Sequence, residues 1–178
     1  GIIGLSESIL SDPSCPPSMH KIVNVIKNGG KRLAVLVCDI MDSASLKEQR
    51  LVVKHESVCV QDVVSNVCQM LGTILKRGVQ LIADVEDSLP RIVGDTSRIE
   101  QILTNLVGNS AKFTSAGHIM ISAHPHGDEH IAIEVSDTGI GIPEDKICTI
   151  FGRFQQVDLA TTRKYGGTGL GLSLVKNL

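Results

Sequence analysis

The 178-residue chain carries 17 basic and 19 acidic residues, a net charge of −2, and this balance excludes the strongly basic surface that nucleic acid or an anionic membrane demands. Its 42% apolar content is that of an ordinary globular protein, but aromatics make up only 2%, so Val, Ile and Leu must build the core. The length suits one ordinary domain or two small ones.

The cysteines Cys15, Cys38, Cys59, Cys68 and Cys148 form no C-x-x-C pair and read as reduced thiols of a cytosolic protein. The longest apolar run, Leu33 to Cys38, falls far short of the ~18 residues of a membrane span, and no stretch reads as a signal peptide.

In chain order, Gly1 to Leu10 reads as the end of a helix, closed by Ser11-Asp12-Pro13 and Pro16-Pro17. Ser18 is the expected N-cap of the next helix. From there Met19, Ile22, Ile26, Leu33, Leu36 and Ile40 step by threes and fours, with Gly29 in the one gap, as in a coiled-coil or bundle seam. The same spacing fits one amphipathic helix packed on its own domain. Its position ahead of the first strand-like run favours a helical hairpin preceding an α/β unit.

The second unit is expected from Leu51. Leu51-Val52-Val53 reads as a strand, and Asp62 to Lys76 as a helix with Val63, Val67, Met70, Leu71 and Ile74 on one face. Gln80 to Val85 alternates as a strand. Asp95 caps a long helix carrying Ile99, Ile102, Leu103, Leu106 and Val107. The strands His118 to Ala123 and His130 to Val135 flank a hairpin turn at Gly127-Asp128. A glycine loop, a short helix opened by Pro143, a polar stretch and a last helix complete the order. The chain opens in an apolar segment and stops inside a helix-like one, so it is expected to be a fragment.

Three local patterns carry chemistry. Asn105, Asn109 and Lys112 share one helical face. A carboxamide oxygen suits Mg²⁺, which keeps waters and phosphate oxygens as its other ligands, and a lysine one turn on can meet those phosphates as a point charge. By itself the pattern more often marks a solvated face. Asp137-Thr138-Gly139-Ile140-Gly141 directly follows a strand; its Asp can accept from an exocyclic amine such as that of adenine, and its glycines admit a close ligand, or it is a plain Asp-Gly turn. Gly166 to Gly171 precedes a helix and offers backbone amides to an anion. No Gly-Lys-Ser/Thr ends it and no strand directly precedes it, which excludes a P-loop and a dinucleotide fingerprint.

Taken together and in this order, the patterns resemble the sensor histidine kinase family over almost the whole chain. Asn105 to Thr114 is similar to its N box, Asp137 to Gly141 to its G1 box, Phe151-Gly-Arg-Phe154 to its F box and Gly167 to Gly171 to its G2 box. The run Thr161 to Gly171 is most similar to the hybrid subclass, whose members carry receiver domains downstream.

The resemblance implies an α+β fold: residues 51–178 as a Bergerat-type α/β sandwich, its sheet mostly antiparallel with helices on one face. Residues 1–50 would be part of a helical hairpin that pairs with a second copy into a dimeric four-helix bundle. It implies ATP and Mg²⁺ as cofactors. Asn109 would ligate the metal, Lys112 would touch phosphate, Asp137 would meet the adenine amine, Phe113 would pack near the base, and Gly139 and Gly141 would let the backbone approach. Gly167, Thr168, Gly169, Leu170 and Gly171 would line the triphosphate, with residues 152–166 as the lid.

Asn105 stands where hydrolytic relatives place a water-activating Glu, and an amide cannot serve as general base. The implied activity is transfer of the γ-phosphate to a histidine and onward to a receiver aspartate. A dimerising scaffold without transfer and a hydrolytic ATPase are the alternatives.

The match departs in places. The phosphoacceptor box would end just before Gly1, none of the six histidines has its context, and His20 reads as a surface residue. Gln156 stands where relatives carry a basic residue, with Arg153, Arg163 or Lys164 to compensate. Ser110 replaces a common Ala and attracts no role. His118, His124, His126 and His130 cluster near a hairpin and read as surface histidines rather than metal ligands.

Overall fold

A computed structural model describes residues 1–47, 52–152, 155 and 169–178. The chain divides into two compact units, Gly1–Arg50 and Leu51–Leu178.

In the first unit, helix α1 (Ile2–Ser11) turns into α2 (Pro17–Lys47). Asp12 shapes the turn, its Oδ1 accepting from the Ser14 amide at 2.8 Å and the Ser14 hydroxyl at 2.6 Å. The second helix starts at Pro17, so Ser18 lies inside it and is not its cap. Proline is suited to that first position, because the amide it lacks has no helical partner there. The two helices approach closely at Gly30, where a Cβ would come within 3.2 Å of the Ile3 side chain. Val23, on that side, is buried, whereas Met19, Ile22, Ile26, Leu33 and Ile40 are all exposed. The stripe at alternating three- and four-residue steps is therefore not the one that packs α2 on α1.

The first strand of the second unit begins later than expected. Val52 and Val53 have no regular structure and Val52 is 84% exposed, while Leu51 lies outside the described residues. The first strand is β1 (Glu56–Val58), because its Val58 reaches the core and its backbone finds a partner. That partner is β3 (Ile92–Gly94), antiparallel, a three-residue strand too short to show periodicity in sequence. Helix α3 (Val60–Gly72) stops four residues before the expected Lys76. Val60, Val63, Val64, Val67 and Leu71 form its buried stripe. Met70 and Ile74, expected on that stripe, are exposed; Ile74 lies beyond Gly72, where the helix ends.

Three strands make the larger sheet, in the order β2 (Val79–Val85), β4 (Gly117–His126), β5 (His130–Asp137). It is a mixed sheet: β2 and β4 run parallel, while β4 and β5 form an antiparallel hairpin turning at Gly127. A parallel pair needs a crossover, and helix α4 (Thr96–Phe113) supplies it. Ile119, Ile121 and Ala123 point inward from β4 and meet Leu103 and Val107 of α4 and the valines of α3 in one core. Asp95 caps α4 as expected, accepting from the Arg98 amide. Pro143 is the N-cap residue of the short α5 (Glu144–Ile147) and not its first turn. The last helix, α6 (Gly171–Asn177), buries Ser173 and Leu174. All five cysteines are free.

Candidate functional site

Helix α4 organises the site because two of its faces do different work. Leu103, Val107 and Ser110 form its buried side, continued by Thr114 just past its end. Asn105, Asn109 and Lys112 occupy another face and are each half-buried. The sequence-predicted residues on this helix therefore share a surface, reachable from solvent and backed by the core.

Asp137, the last residue of β5, lies opposite Ile119 of β4 in the sheet register. Its carboxylate is gripped on both oxygens. The Gly139 amide donates to Oδ1 at 2.8 Å, and the Ser110 hydroxyl donates to Oδ2, also at 2.8 Å. These charge-assisted bonds fix the carboxylate plane and leave its remaining lone pairs for another donor.

The next residue anchors the loop. Thr138 donates its amide to the His118 carbonyl at 3.1 Å, and its Oγ1 accepts from the His118 amide at 3.0 Å. Gly117 has φ +106°, and a Cβ there would overlap the Thr138 hydroxyl. Gly139 is equally confined: a Cβ would stand 2.8 Å from Asp137 Oδ1, 2.9 Å from the Phe113 carbonyl and 3.0 Å from Thr114 Oγ1. So the loop after β5 lies directly on the end of α4, and a side chain at position 139 would force them apart. Gly141, with φ +72°, faces open space.

An open hollow sits at this junction, lined by Phe113, Ser115, Ala116, Thr138, Gly139 and Ile140. Ile140 and Ile142 beside it are 75% and 51% exposed, which leaves apolar surface at the rim. A larger hollow between the starts of β2 and β4, lined by Gly78, Val79, Gln80, Gly117 and His118, contains none of the predicted site residues. Lys112 lies over the Phe113 ring, 4.8 Å from its centroid. Burial lowers the Lys112 pKa from its ordinary value. An anion brought to that ammonium would work in the opposite direction.

At the other end of this face, Asn105 meets α6. A Cβ on Gly171 would stand 3.0 Å from Asn105 Oδ1. Gly169 has φ +68°, Leu170 is buried and Gly171 begins the helix. Gly167 and Thr168, like Arg153, Phe154, Gln156, Arg163 and Lys164, lie outside the described residues. Asn105 and Phe113 are eight positions apart, about 12 Å along the helix axis. The two ends of the face are thus an Asp137–Phe113–Gly139 cluster and an Asn105–Gly171 contact.

Two contributors escaped sequence reasoning. Ser110 looked like a neutral replacement for alanine; its place on the buried stripe of α4, three residues after Val107, was the available signal. Lys76 donates to the Lys112 carbonyl at 2.9 Å and the Thr114 carbonyl at 3.1 Å, closing the end of α4. Nothing local marks a lysine 36 residues upstream for that task.

Among the described residues, no group of three His, Cys, Asp or Glu could hold a metal ion. His124 approaches Glu134 at 4.0 Å, and both are exposed. Nor is any helix among them long and apolar enough to cross a membrane. The donor set fits a cation that arrives with phosphate oxygens: a half-buried carboxamide at Asn109 can supply one neutral oxygen and leave the other positions to the ligand.

The site thus sets a mixed sheet behind α4, with an acidic glycine loop at one end of the helix and a second glycine turn at the other. Residues 94–178 match the family described as histidine kinase-, DNA gyrase B-, and HSP90-like ATPase. Among curated relatives, hybrid signal transduction histidine kinase L of Dictyostelium discoideum is 36% identical over 99% of the chain, which spans 11% of that protein. Signal transduction histidine-protein kinase BarA of Escherichia coli is 31% identical over 100% of the chain, which spans 20% of it. Full-length ShkA, solved in complex with AMPPNP, is similar in structure over 99% of the chain and 36% of its own, with a TM-score of 0.81 and 27% identity.

Proposed function

We infer that this chain is the nucleotide-binding core of a histidine kinase, which takes Mg·ATP and delivers its γ-phosphate to a histidine of the same protein. The observation that carries the reading is the Asp137 carboxylate, held by Ser110 and Gly139 beside the hollow at Phe113. Asp137 accepts from the adenine amine, with Phe113 and Ile140 against the base. The phosphates run along α4 toward Gly169–Gly171, a length comparable to an extended nucleoside triphosphate. Lys112 contacts them as a point charge, and the buried-side stripe of α4 keeps its polar face in register.

Asn109 would hold Mg²⁺, which when bound supplies charge neutralisation to the phosphates. Asn105 has an amide where a hydrolase needs a base, so water in the site is not activated. A histidine imidazole nitrogen then forms the P–N bond as the bond from Pγ to the ADP oxygen breaks, and positioning does most of the work. Gly167 and Thr168 are assigned to the triphosphate on the sequence resemblance alone.

The exposed stripe of Met19, Ile22, Ile26, Leu33 and Ile40 supports pairing of the first unit with a second copy into a four-helix bundle. The names of the Dictyostelium relatives support a receiver domain, in the same polypeptide or separate, as the next phosphate acceptor. The five free, scattered cysteines support a cytosolic setting.

Calorimetric titration with ATP, with and without Mg²⁺, tests the core of this reading. Asp137→Asn should abolish measurable binding, and Asn109→Ala should weaken binding only when Mg²⁺ is present. A folded chain that does not bind ATP would leave dimerisation as its role.

A further inference from the structure

We propose that Ser110 is a positioning residue that fixes the plane of the Asp137 carboxylate and thereby sharpens the preference for an amine-bearing purine over a carbonyl-bearing one. This rests on the reading that Asp137 meets the base.

A serine in a helix interior usually returns its hydroxyl to the carbonyl four residues back. The Ser110 hydroxyl instead reaches 27 residues along the chain to Asp137 Oδ2 at 2.8 Å. It has a single proton, so donating to Asp137 uses its whole donor capacity. Ser110 is 7% exposed, which keeps water from competing for that proton. The second anchor, the Gly139 amide, comes from the loop and not from α4. With one oxygen tied to the helix and the other to the loop, the carboxylate cannot turn about its Cβ–Cγ bond.

The consequence falls on the ligand. A fixed carboxylate offers only lone pairs toward the hollow. A base with an exocyclic amine supplies the missing donor. A base with a carbonyl at that place puts an oxygen against an oxygen. Sites built to pair a ligand N–H discriminate strongly against the analogue that lacks it. With alanine at position 110, Oδ2 loses its protein donor and the carboxylate can swing toward water. Affinity for the amine-bearing base then falls, while the carbonyl-bearing base, which never gained from the fixed geometry, is little affected.

Calorimetric titrations with ATP and with inosine triphosphate, which carries a carbonyl in place of the adenine amine, provide the test. Thermal unfolding by circular dichroism checks that each variant is folded. The expected result for Ser110→Ala is an ATP affinity about tenfold weaker, the scale of a lost hydrogen bond to a charged group, with inosine triphosphate changed by less than about twofold. Ser110→Cys keeps the volume with a weaker donor and should fall between, which keeps the test open if the alanine variant does not fold. Equal weakening of both nucleotides would make Ser110 a packing residue and overturn the proposal. So would an unchanged ATP affinity in a folded variant. Failure of the unsubstituted chain to bind either nucleotide would instead overturn the adenine-site reading, and this assignment with it.

Discussion

Gly171 approaches Asn105 so closely that a Cβ on the glycine would stand 3.0 Å from the asparagine Oδ1. The contact ties the first turn of α6 to the polar face of α4. In a free helix, alanine outranks glycine by about 1 kcal/mol. Here the added methyl must push the Asn105 amide aside, so Gly171→Ala should destabilise the protein by about 1 kcal/mol. In an Asn105→Ala background the obstacle is gone, and the same substitution should stabilise by about 0.5–1 kcal/mol. Urea unfolding of the four proteins measures the coupling, and additive effects would show that the two residues do not press on each other.

Asn105→Glu tests the type of reaction. A carboxylate at this position could serve as general base toward water, but only if a water can sit in line with the γ-phosphate. On the histidine-directed reading, steady-state release of ADP should stay within about twofold of the original chain. A rise on the order of 10²-fold, the scale of a working general base, would identify a hydrolase geometry.

Lys76 ties the loop after α3 to the end of α4 through the carbonyls of Lys112 and Thr114. Lys76→Met keeps the stem and removes the donors. Hydrogen bonds to a charged group contribute about 1.5–3 kcal/mol, and partial solvent access reduces that, so a loss of about 1–2 kcal/mol is expected. Because those carbonyls flank Phe113, ATP affinity should fall as well. A melting curve and an ATP titration on one preparation check both.

Acid sensitivity should come in part from the start of α4. Asp95 accepts from the Lys54 amide at 3.1 Å and from the Arg98 amide at 3.2 Å, and these bonds, that from Lys54 foremost, hold its pKa below the ordinary value. Glu56 is held down likewise by the Thr96 hydroxyl and amide. A carboxyl with a depressed folded pKa stabilises above its unfolded pKa, and that stability is lost as pH falls through the folded pKa. The window therefore opens below about pH 4. Asp95→Asn keeps a capping oxygen but cannot titrate. It should fold normally at pH 7 and show a shallower loss of stability on acidification, read from melting temperatures between pH 2 and pH 5; a curve parallel to that of the original chain would exclude Asp95 as a contributor.

The ordered spacing of Asn105, Asn109, Lys112, Asp137 and the last glycines was legible in the sequence because each motif is local: a helical face, a strand end, a glycine turn. The long helices and the β4–β5 hairpin were legible for the same reason, since periodicity over eight or more residues marks the element, although in α2 the stripe so marked is not the face buried against α1. The three-residue strands β1 and β3 were not, and an apolar run at Leu51–Val53 drew attention away from Glu56–Val58, which pairs with Ile92–Gly94 far along the chain. The parallel pairing of β2 with β4 was also hidden, because strand direction depends on the path of the crossover and not on either strand's residues.

The same division runs through the site. Residue chemistry along the chain determined which side chains stand ready on α4 and at the end of β5. Tertiary structure alone decided that Ser110 grips Asp137, that Lys76 closes α4 and that Gly171 leaves room for Asn105. Each of these contacts joins residues 27 or more positions apart. A serine, a lysine and a glycine have no local pattern that names a distant partner; only the packing of α4 between the sheet, the α3 loop and α6 brings those partners within reach.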